Sequence, residues 1–462
     1  MSLSAAIDKL VNFHQIKDTV DSFIGTPGYL GTTSFGAFEP NTDVGDARQR
    51  WLFRMVHSPR PLQEKMALFW HNHFATGYSK IAGQLGFDGA SRALAAKPSE
   101  DENDLRYRSR ALVKGQCELF REFALGNFRD LLFEVSRDPA MVAWLDGDTN
   151  LRANPQENYA RELMELFTLG VDFYTESDVY AGARVFTGWN LQDYYGPPPD
   201  YSRYSTFRFR SSEHDTNSKT FSFPIYPDGS KTIPARSAAD GMQDGIDLIN
   251  AVAAHPETGP LLARKLYAFF VSDLKIPPET FIQELAGVYY SSGYDMRAVV
   301  GFLLRSAEFQ DPANYFARYS WPVEHVVRLI KGIGWAGFSA GSATTPLANM
   351  GQLLFEPPDV SGWRLGTEWF STGTLLARMN FAATLASNQR FSLGTDALAS
   401  AGTPESLLAY MLDRLAPADY DTQELRGLLN YVAAGDGWPG QSRAKAAGLA
   451  HLIGGSSEYQ FV

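Results

Sequence analysis

Cysteine is nearly absent from this chain of 462 residues, which contains only Cys117. An intramolecular disulfide is therefore excluded, and so is a zinc or iron–sulfur site built from several cysteines. Any metal ion bound here would depend on His, Asp and Glu side chains.

Positive charge is also scarce, because 41 Lys and Arg residues face 52 Asp and Glu residues, a net charge of −11. No run of Lys or Arg exceeds two residues, so we expect no nucleic-acid partner.

No stretch approaches the roughly 18 consecutive apolar residues of a membrane span. We therefore expect a soluble chain. The first ten residues lack the pattern of a signal peptide, but Met1 to Leu3 is equally compatible with a start added to a trimmed protein, which leaves the compartment open.

Aromatic residues, by contrast, are abundant: Phe, Tyr and Trp make up 13% of the chain, enough to fill a large core. Apolar residues recur at spacings of three and four along most of the sequence, which predicts amphipathic helices. Alternation typical of strands is confined to 206–210 and 220–223, which we predict to form one hairpin. Long loops are predicted at 82–104 and 193–235.

The predicted fold class is therefore all-α: a large multi-helix domain with a minor β-hairpin in a long loop. We predict a single domain over residues 1–462, with a weak subdomain break near 332–346. That segment is rich in Gly, Ser, Ala and Thr, which is typical of a connection between helices.

Three segments hold most of the polar side chains suited to chemistry, and the first is a predicted helix containing Glu64 and the run His71, Asn72 and His73. Seven residues make about two helical turns, so Glu64 and His71 share a face. His73 lies about 200° from His71, so both imidazoles bind one metal only if the helix ends near Asn72. The alternative is that one histidine packs in the interior while the other is exposed.

The second segment, 154–170, predicts a helix whose circumference is mostly apolar. Its polar stripe contains Asn158, Glu162 and Glu165. A buried carboxylate must be paired, protonated or bound to a cation, and helical bundles present carboxylates to metals at this spacing. The alternative is a buried ion-pair network in which an arginine neutralises the glutamates. The candidate arginines are Arg161, Arg184 and Arg264.

The third segment, Glu213–Lys219, lies in the second predicted loop. His214 stands between Glu213 and Asp215, which would fix its tautomer and raise its basicity. The alternative is an exposed polar turn without a function.

A further segment, Glu356–Trp369, combines two prolines, two glycines and two tryptophans. Proline restricts the backbone and tryptophan supplies buried area, which predicts a rigid clamp against the helices. The alternative is a wall of a substrate pocket.

Seven segments of the chain resemble, in the same order, the bacterial domain-of-unknown-function family 1800. They are RPLQEKMALFWHNHFATG, DPAMVAWLDG, ENYARELMELFTLGVDFYTESDVYAGARVFTGW, HDTNSKTF, LARKLYAFFV, LLRSAEFQ and EPPDVSGWRLGTEW. The resemblance implies a helical fold, a shared site and no particular reaction. Members usually begin with a further helix, which implies that this sequence is trimmed. Many members carry export signals, so the resemblance leaves both an exported protein and an unknown compartment open. Their genes often lie beside those of an uncharacterised, sulfatase-like family, which implies a partner.

The resemblance also groups the polar residues above into one site with nitrogen and oxygen ligands. The predicted metal ligands are His71, His73, Glu162 and Glu165. The predicted catalytic residues are His214, Asp215 and Arg161. The other predicted site residues are Glu64, Asn72, Asn158, Asp178 and Arg184.

Two classes of function follow from these residues. The first is a metal-dependent enzyme, in which Fe, Mn or Cu near Trp70, Tyr159 and Trp189 would suit oxidative chemistry and Zn would suit hydrolysis. Within it we favour an oxidoreductase. The second is a binding or assembly protein, in which the polar cluster only fixes the register of the helices.

Overall fold

Helices make up most of the computed structural model, which describes residues 2–32, 38–97, 114–195, 203–335, 337–387, 401–435 and 440–462. The α-helices are α1 (Leu3–Val11), α2 (Val44–His57), α3 (Pro61–His73), α4 (Tyr78–Leu85), α5 (Phe87–Ala95), α6 (Gln116–Glu122), α7 (Phe128–Ser136), α8 (Pro139–Trp144), α9 (Asn158–Glu162), α10 (Glu176–Val185), α11 (Met242–Ala254), α12 (Thr258–Phe270), α13 (Glu279–Ser291), α14 (Met296–Arg305), α15 (Ala307–Gln310), α16 (Pro322–Ile333), α17 (Gly341–Asn349), α18 (Thr372–Ser387), α19 (Pro404–Leu415), α20 (Thr422–Ala433) and α21 (Ser442–Gly454). Short 3₁₀ turns occupy Phe13–Gln15, Val20–Phe23, Gly147–Thr149, Ser211–Glu213, Ala238–Asp240, Pro312–Asn314, Gly366–Trp369 and Glu458–Gln460. The all-α prediction is confirmed.

Side-chain caps define where several of these helices begin. Asn127 and Asp138 accept hydrogen bonds from backbone N–H groups in the first turns of α7 and α8. Thr175 and Asp178 form a reciprocal capping box at the start of α10, which the sequence predicts from their spacing.

Two short antiparallel pairs make up the strands of the described residues, and their pairing corrects the predicted hairpin. Strand β1 (Trp189–Tyr195) pairs with β2 (Arg203–Phe209), with Trp189 opposite Phe209. Strand β3 (Lys219–Thr220) pairs with β4 (Thr232–Ile233). The segments 206–210 and 220–223 are therefore not partners, because alternation identifies a strand but not the strand opposite it.

The predicted loop at 82–104 is also wrong over its first part. Helix α4 buries Ile81, Ala82 and Leu85, and α5 buries Ala90 and Leu94. These spacings of three and four are those of a helix packed on one face. The remainder of the predicted loop, 98–104, lies outside the described residues.

The buried apolar side chains form one cluster that runs from Ile7 to Tyr459. Helix α16 packs against both α2 and α18, and Nε of Arg48 on α2 donates to the Leu354 carbonyl at 2.8 Å. Residues 341–346 of the predicted break belong to α17, which contacts α2 and α16. These contacts support the single domain, which stays a prediction. None of the helices in the described part of the chain has the length and apolar character needed to cross a bilayer.

Candidate functional site

The helix that carries Glu162 and Glu165 widens after its first turn. Helix α9 continues into a π-helical turn at Leu163–Thr168, and the Leu169 N–H donates to the Met164 carbonyl at 2.7 Å. Gly170 ends the turn with φ +86, a conformation that glycine adopts without strain. Single π turns occur frequently at functional sites.

His73 and Lys265 satisfy carbonyl groups of this π-helical turn. Nε2 of His73 donates to the Phe167 carbonyl at 3.2 Å, and Lys265 Nζ donates to the Leu166 carbonyl at 2.9 Å. Lys265 Nζ also donates to Nδ1 of His73 at 3.0 Å. Burial, together with the Lys265 charge, holds the pKa of His73 well below its usual range. Both ring nitrogens of a neutral His73 therefore have protein partners.

His71 and Asn72 hold the segment that the sequence predicts to be a clamp. The Phe355 N–H donates to Nε2 of His71 at 3.2 Å, and the Trp363 N–H donates to Oδ1 of Asn72 at 2.7 Å. Burial lowers the pKa of His71 to about 3, which keeps the imidazole neutral and able to accept. Gly362 has φ +81, and a Cβ there would lie 2.4 Å from the Asn72 carbonyl oxygen, so this close approach requires glycine.

Glu162 and Glu165, the carboxylate pair, have no ion-pair partner among the described residues. Both side chains are half-buried. Burial, the like charge of Glu165 and the nearby Asp359 raise the pKa of Glu162 to about 7. The Tyr174 hydroxyl donates to the Glu165 carboxylate. With this raised pKa, the Glu162 carboxyl group can gain or lose a proton near neutral pH.

None of the three arginines proposed to neutralise the carboxylate pair does so. Each of them pairs with a different acid in the structure. The pairs are Arg161 with Glu157 and Glu176, Arg184 with Asp215, and Arg264 with Glu279. Arg161 therefore pairs with acids other than the carboxylate pair, and its charge only partly offsets the rise in the pKa of Glu162.

His214 lies in a separate, fully buried network. Its Nδ1 donates to the Thr187 carbonyl at 2.9 Å, and its Nε2 lies 3.2 Å from Oδ2 of Asp244. Lys219 Nζ donates to the same Asp244 oxygen at 2.5 Å. The alternative of an exposed polar turn is wrong for His214, whose exposed fraction is 0%. Predicted as a catalytic residue on a mobile loop, it is instead held by protein groups on both ring nitrogens.

The remaining predicted residues have structural partners. Glu64 is buried and accepts from Nε of both Arg54 and Arg121, at 2.9 and 3.0 Å. Asp178 accepts from the Ser222 N–H at 2.6 Å in addition to its role in the α10 cap. The other partnerships are Asn158 with Asp146 and Asp215 with Arg184.

The residues predicted to bind a metal do not fit one. Over the described ranges, no group of three or more His, Cys, Asp and Glu residues could hold a metal ion. His71 Nε2 and both nitrogens of His73 already bond to protein groups. His71 bonds to the clamp, whereas His73 bonds to a carbonyl of the π-helical turn. For this reason the two imidazoles do not form a metal site with the Glu162 and Glu165 carboxylates.

Several residues of these networks were absent from the predicted site, among them Tyr174, Lys265, Asp359 and Asp244. Tyr174, Lys265 and Asp359 lie within segments that carry the family resemblance, so attention to polar residues next to each motif would have found them. Asp244 lies outside those segments, and local sequence offers no signal for it.

Comparison with known proteins identifies a family but no reaction, substrate or partner. A family model described as "Protein of unknown function (DUF1800)" matches residues 8–94 and 103–461. No curated protein and no solved structure matches the chain. The reaction must therefore be inferred from the site.

Proposed function

The chain belongs to the DUF1800 family, and we propose from its geometry that it is a hydrolytic enzyme using general acid–base catalysis, with Glu162 as the proton donor. The observation that carries the proposal is the half-buried, unpaired Glu162, whose pKa is raised to about 7. A catalytic acid works best when its pKa lies near the operating pH.

The environment of Glu162 explains why it holds a proton. Burial disfavours the charged carboxylate, and the neighbouring Glu165 adds repulsion between like charges. Two carboxyl groups in unequal surroundings are the arrangement by which hydrolases assign one group to donate a proton. Glu162 would protonate the leaving group as its bond to the substrate breaks, and would recover a proton from the water that attacks the substrate. Glu165 would keep Glu162 protonated until substrate arrives.

Tyr174 and His73 act as positioning residues in this proposal. Burial and the hydrogen bond to Glu165 raise the pKa of Tyr174 to about 12, so its hydroxyl stays protonated and holds the Glu165 carboxylate. His73, with Lys265, fixes the carbonyls of the π-helical turn that carries Glu165. Glu165 is thus held through its carboxylate and through the backbone of the turn that carries it.

The loop after the π-helical turn exposes apolar side chains close in sequence to Tyr174, which bonds to Glu165. Val171 and Phe173 are 62% and 45% exposed, and Tyr174 follows directly. Substrate pockets combine such apolar contacts with a few polar groups that fix orientation. We infer a substrate with an apolar portion next to the bond that is cleaved.

The other predicted functions have less support. A metal-dependent oxidoreductase and a zinc hydrolase both need a metal site that the described residues do not fit. The networks of Glu64 and His214 match the structural role expected in a binding or assembly protein, but that role does not use the raised pKa of Glu162. The sulfatase-like neighbour stays a predicted partner.

A panel of methyl glycosides, methyl esters and methyl phosphates tests the proposal, because an alcohol leaving group departs with the proton that Glu162 would supply. Because the acid must be protonated, we expect kcat/KM to be constant below pH 7 and to fall about tenfold per pH unit above it. Glu162→Gln should lower kcat by roughly 10²- to 10⁴-fold. Glu176→Gln, at an exposed carboxylate paired with Arg161, is the control and should change kcat little. Full activity in the Glu162→Gln variant would reject Glu162 as the acid.

A further inference from the structure

Four fully buried polar side chains in the C-terminal third have atoms without a hydrogen-bond partner among the described residues. The atoms are both ring nitrogens of His325, the Tyr459 hydroxyl, Nε of Arg378 and Nε2 of Gln352. Each of these side chains has an exposed fraction of 0%. Buried polar groups are nearly always hydrogen-bonded, so several orphans together require an explanation.

Contacts link the four side chains to one region of the interior, between α16, α18 and the C-terminal residues. The rings of His325 and Tyr459 have centroids 5.6 Å apart. Arg378 Nη1 donates to Oε1 of Gln460, the residue after Tyr459, at 3.1 Å. Gln352 accepts from the Val323 N–H at 2.9 Å, two residues before His325. Packing therefore fixes all four in place without satisfying the orphaned atoms.

The charge of this interior is positive. Neither Arg378 nor Arg328 has an ion-pair partner in the described part of the chain. The nearby Glu324 is bound by Arg318 at 2.8 Å and by Lys65. Arg328 lies over the Tyr459 ring, with its guanidinium carbon 4.1 Å from the centroid. A buried guanidinium without a counter-charge is strongly unfavourable, so a negative group is expected to complete it.

We propose that the interior formed by His325, Arg378, Tyr459 and Gln352 binds one small monovalent anion, a halide or a formate-sized carboxylate. Arg378 Nε, Tyr459 and the Gln352 amide are hydrogen-bond donors, and a neutral imidazole supplies one more. An anion bound by these donors would explain both the orphaned atoms and the unpaired guanidinium. The inference does not rest on the proposed hydrolytic function.

Bromide tests the proposal directly on the wild-type protein. Crystals soaked in bromide should show one anomalous peak within hydrogen-bond distance of Arg378 Nε and the Tyr459 hydroxyl. In solution, Tm should rise with bromide or formate concentration at constant ionic strength, because an anion bound only to the folded state stabilises it. Comparing bromide with formate distinguishes a halide site from a carboxylate site.

Tyr459→Phe removes only the hydroxyl and should raise the apparent Kd for bromide about tenfold, the loss expected for a hydrogen bond to a charged group. Tyr420→Phe is the matched control, because the Tyr420 hydroxyl already bonds to Ser456 at 2.7 Å, and it should keep the wild-type Kd. Ordered water without an anomalous peak, or a wild-type Tm independent of both anions, would overturn the proposal whether or not the variants fold.

Discussion

Replacing Trp363 by alanine is expected to lower the free energy of unfolding by about 3 to 5 kcal/mol, the range for removing a large buried ring. Trp363 is 4% exposed, and its ring centroid lies 5.4 Å from that of His71. Its backbone N–H is held by Asn72 at 2.7 Å. Because the ring fills the junction between α3 and the clamp, its loss leaves a cavity. Urea unfolding at pH 7 measures the change.

Phe87→Ala is the control for this prediction, because Phe87 is also aromatic but 74% exposed. It should change the free energy of unfolding by less than about 1 kcal/mol. An unchanged unfolding midpoint in the Trp363→Ala variant would mean that the ring does not support the core. The alternative of a substrate-pocket wall would then regain support.

The second large effect is expected for Glu64→Gln, which should lower the free energy of unfolding by about 3 to 5 kcal/mol. Glu64 is 3% exposed and bonds to Nε of Arg54 and of Arg121. A glutamine of the same shape removes the charge that offsets these guanidinium groups. Guanidinium chloride unfolding is unsuitable because its salt screens ion pairs, so urea is the denaturant of choice.

Glu122→Gln is the matched control, because Glu122 also pairs with a basic residue, Lys114, but its side chain is 58% exposed. An exposed pair contributes about 0 to 1 kcal/mol, so this variant should resemble the wild type. Arg121 keeps a second partner, Glu118, at 2.7 Å. A loss below about 1 kcal/mol in Glu64→Gln would show that the remaining acids, such as Glu118, suffice to neutralise the network.

The pattern of apolar and capping residues along the sequence was enough to predict much of the fold. The spacing of apolar residues identified most helices, and Thr175 with Asp178 marked the start of α10 because capping depends on neighbours in sequence. The composition of Glu356–Trp369 likewise predicted a clamp, and the burial of Trp363 supports that interpretation. Each of these features is determined within a few residues.

The site depended instead on contacts between distant segments. The spacing of Glu162 and Glu165 placed them on one stripe, but it did not predict the π-helical turn that carries Glu165. His73 bonds to Lys265, 192 residues away in sequence, and no local rule connects the two. The described residues do not support the metal hypothesis, because sequence shows which side chains share a face but not which element lies opposite.

The most direct test of the proposed function is the pKa of Glu162, measured by ¹³C NMR titration of the side-chain carboxyl groups. The Glu162→Gln variant identifies the resonance. We predict a pKa of about 7, and a lower value in Glu165→Gln because the repulsion from a like charge is removed. A Glu162 that titrates near the ordinary value of 4.5 would contradict the account, since its carboxyl would then carry no proton to donate at neutral pH.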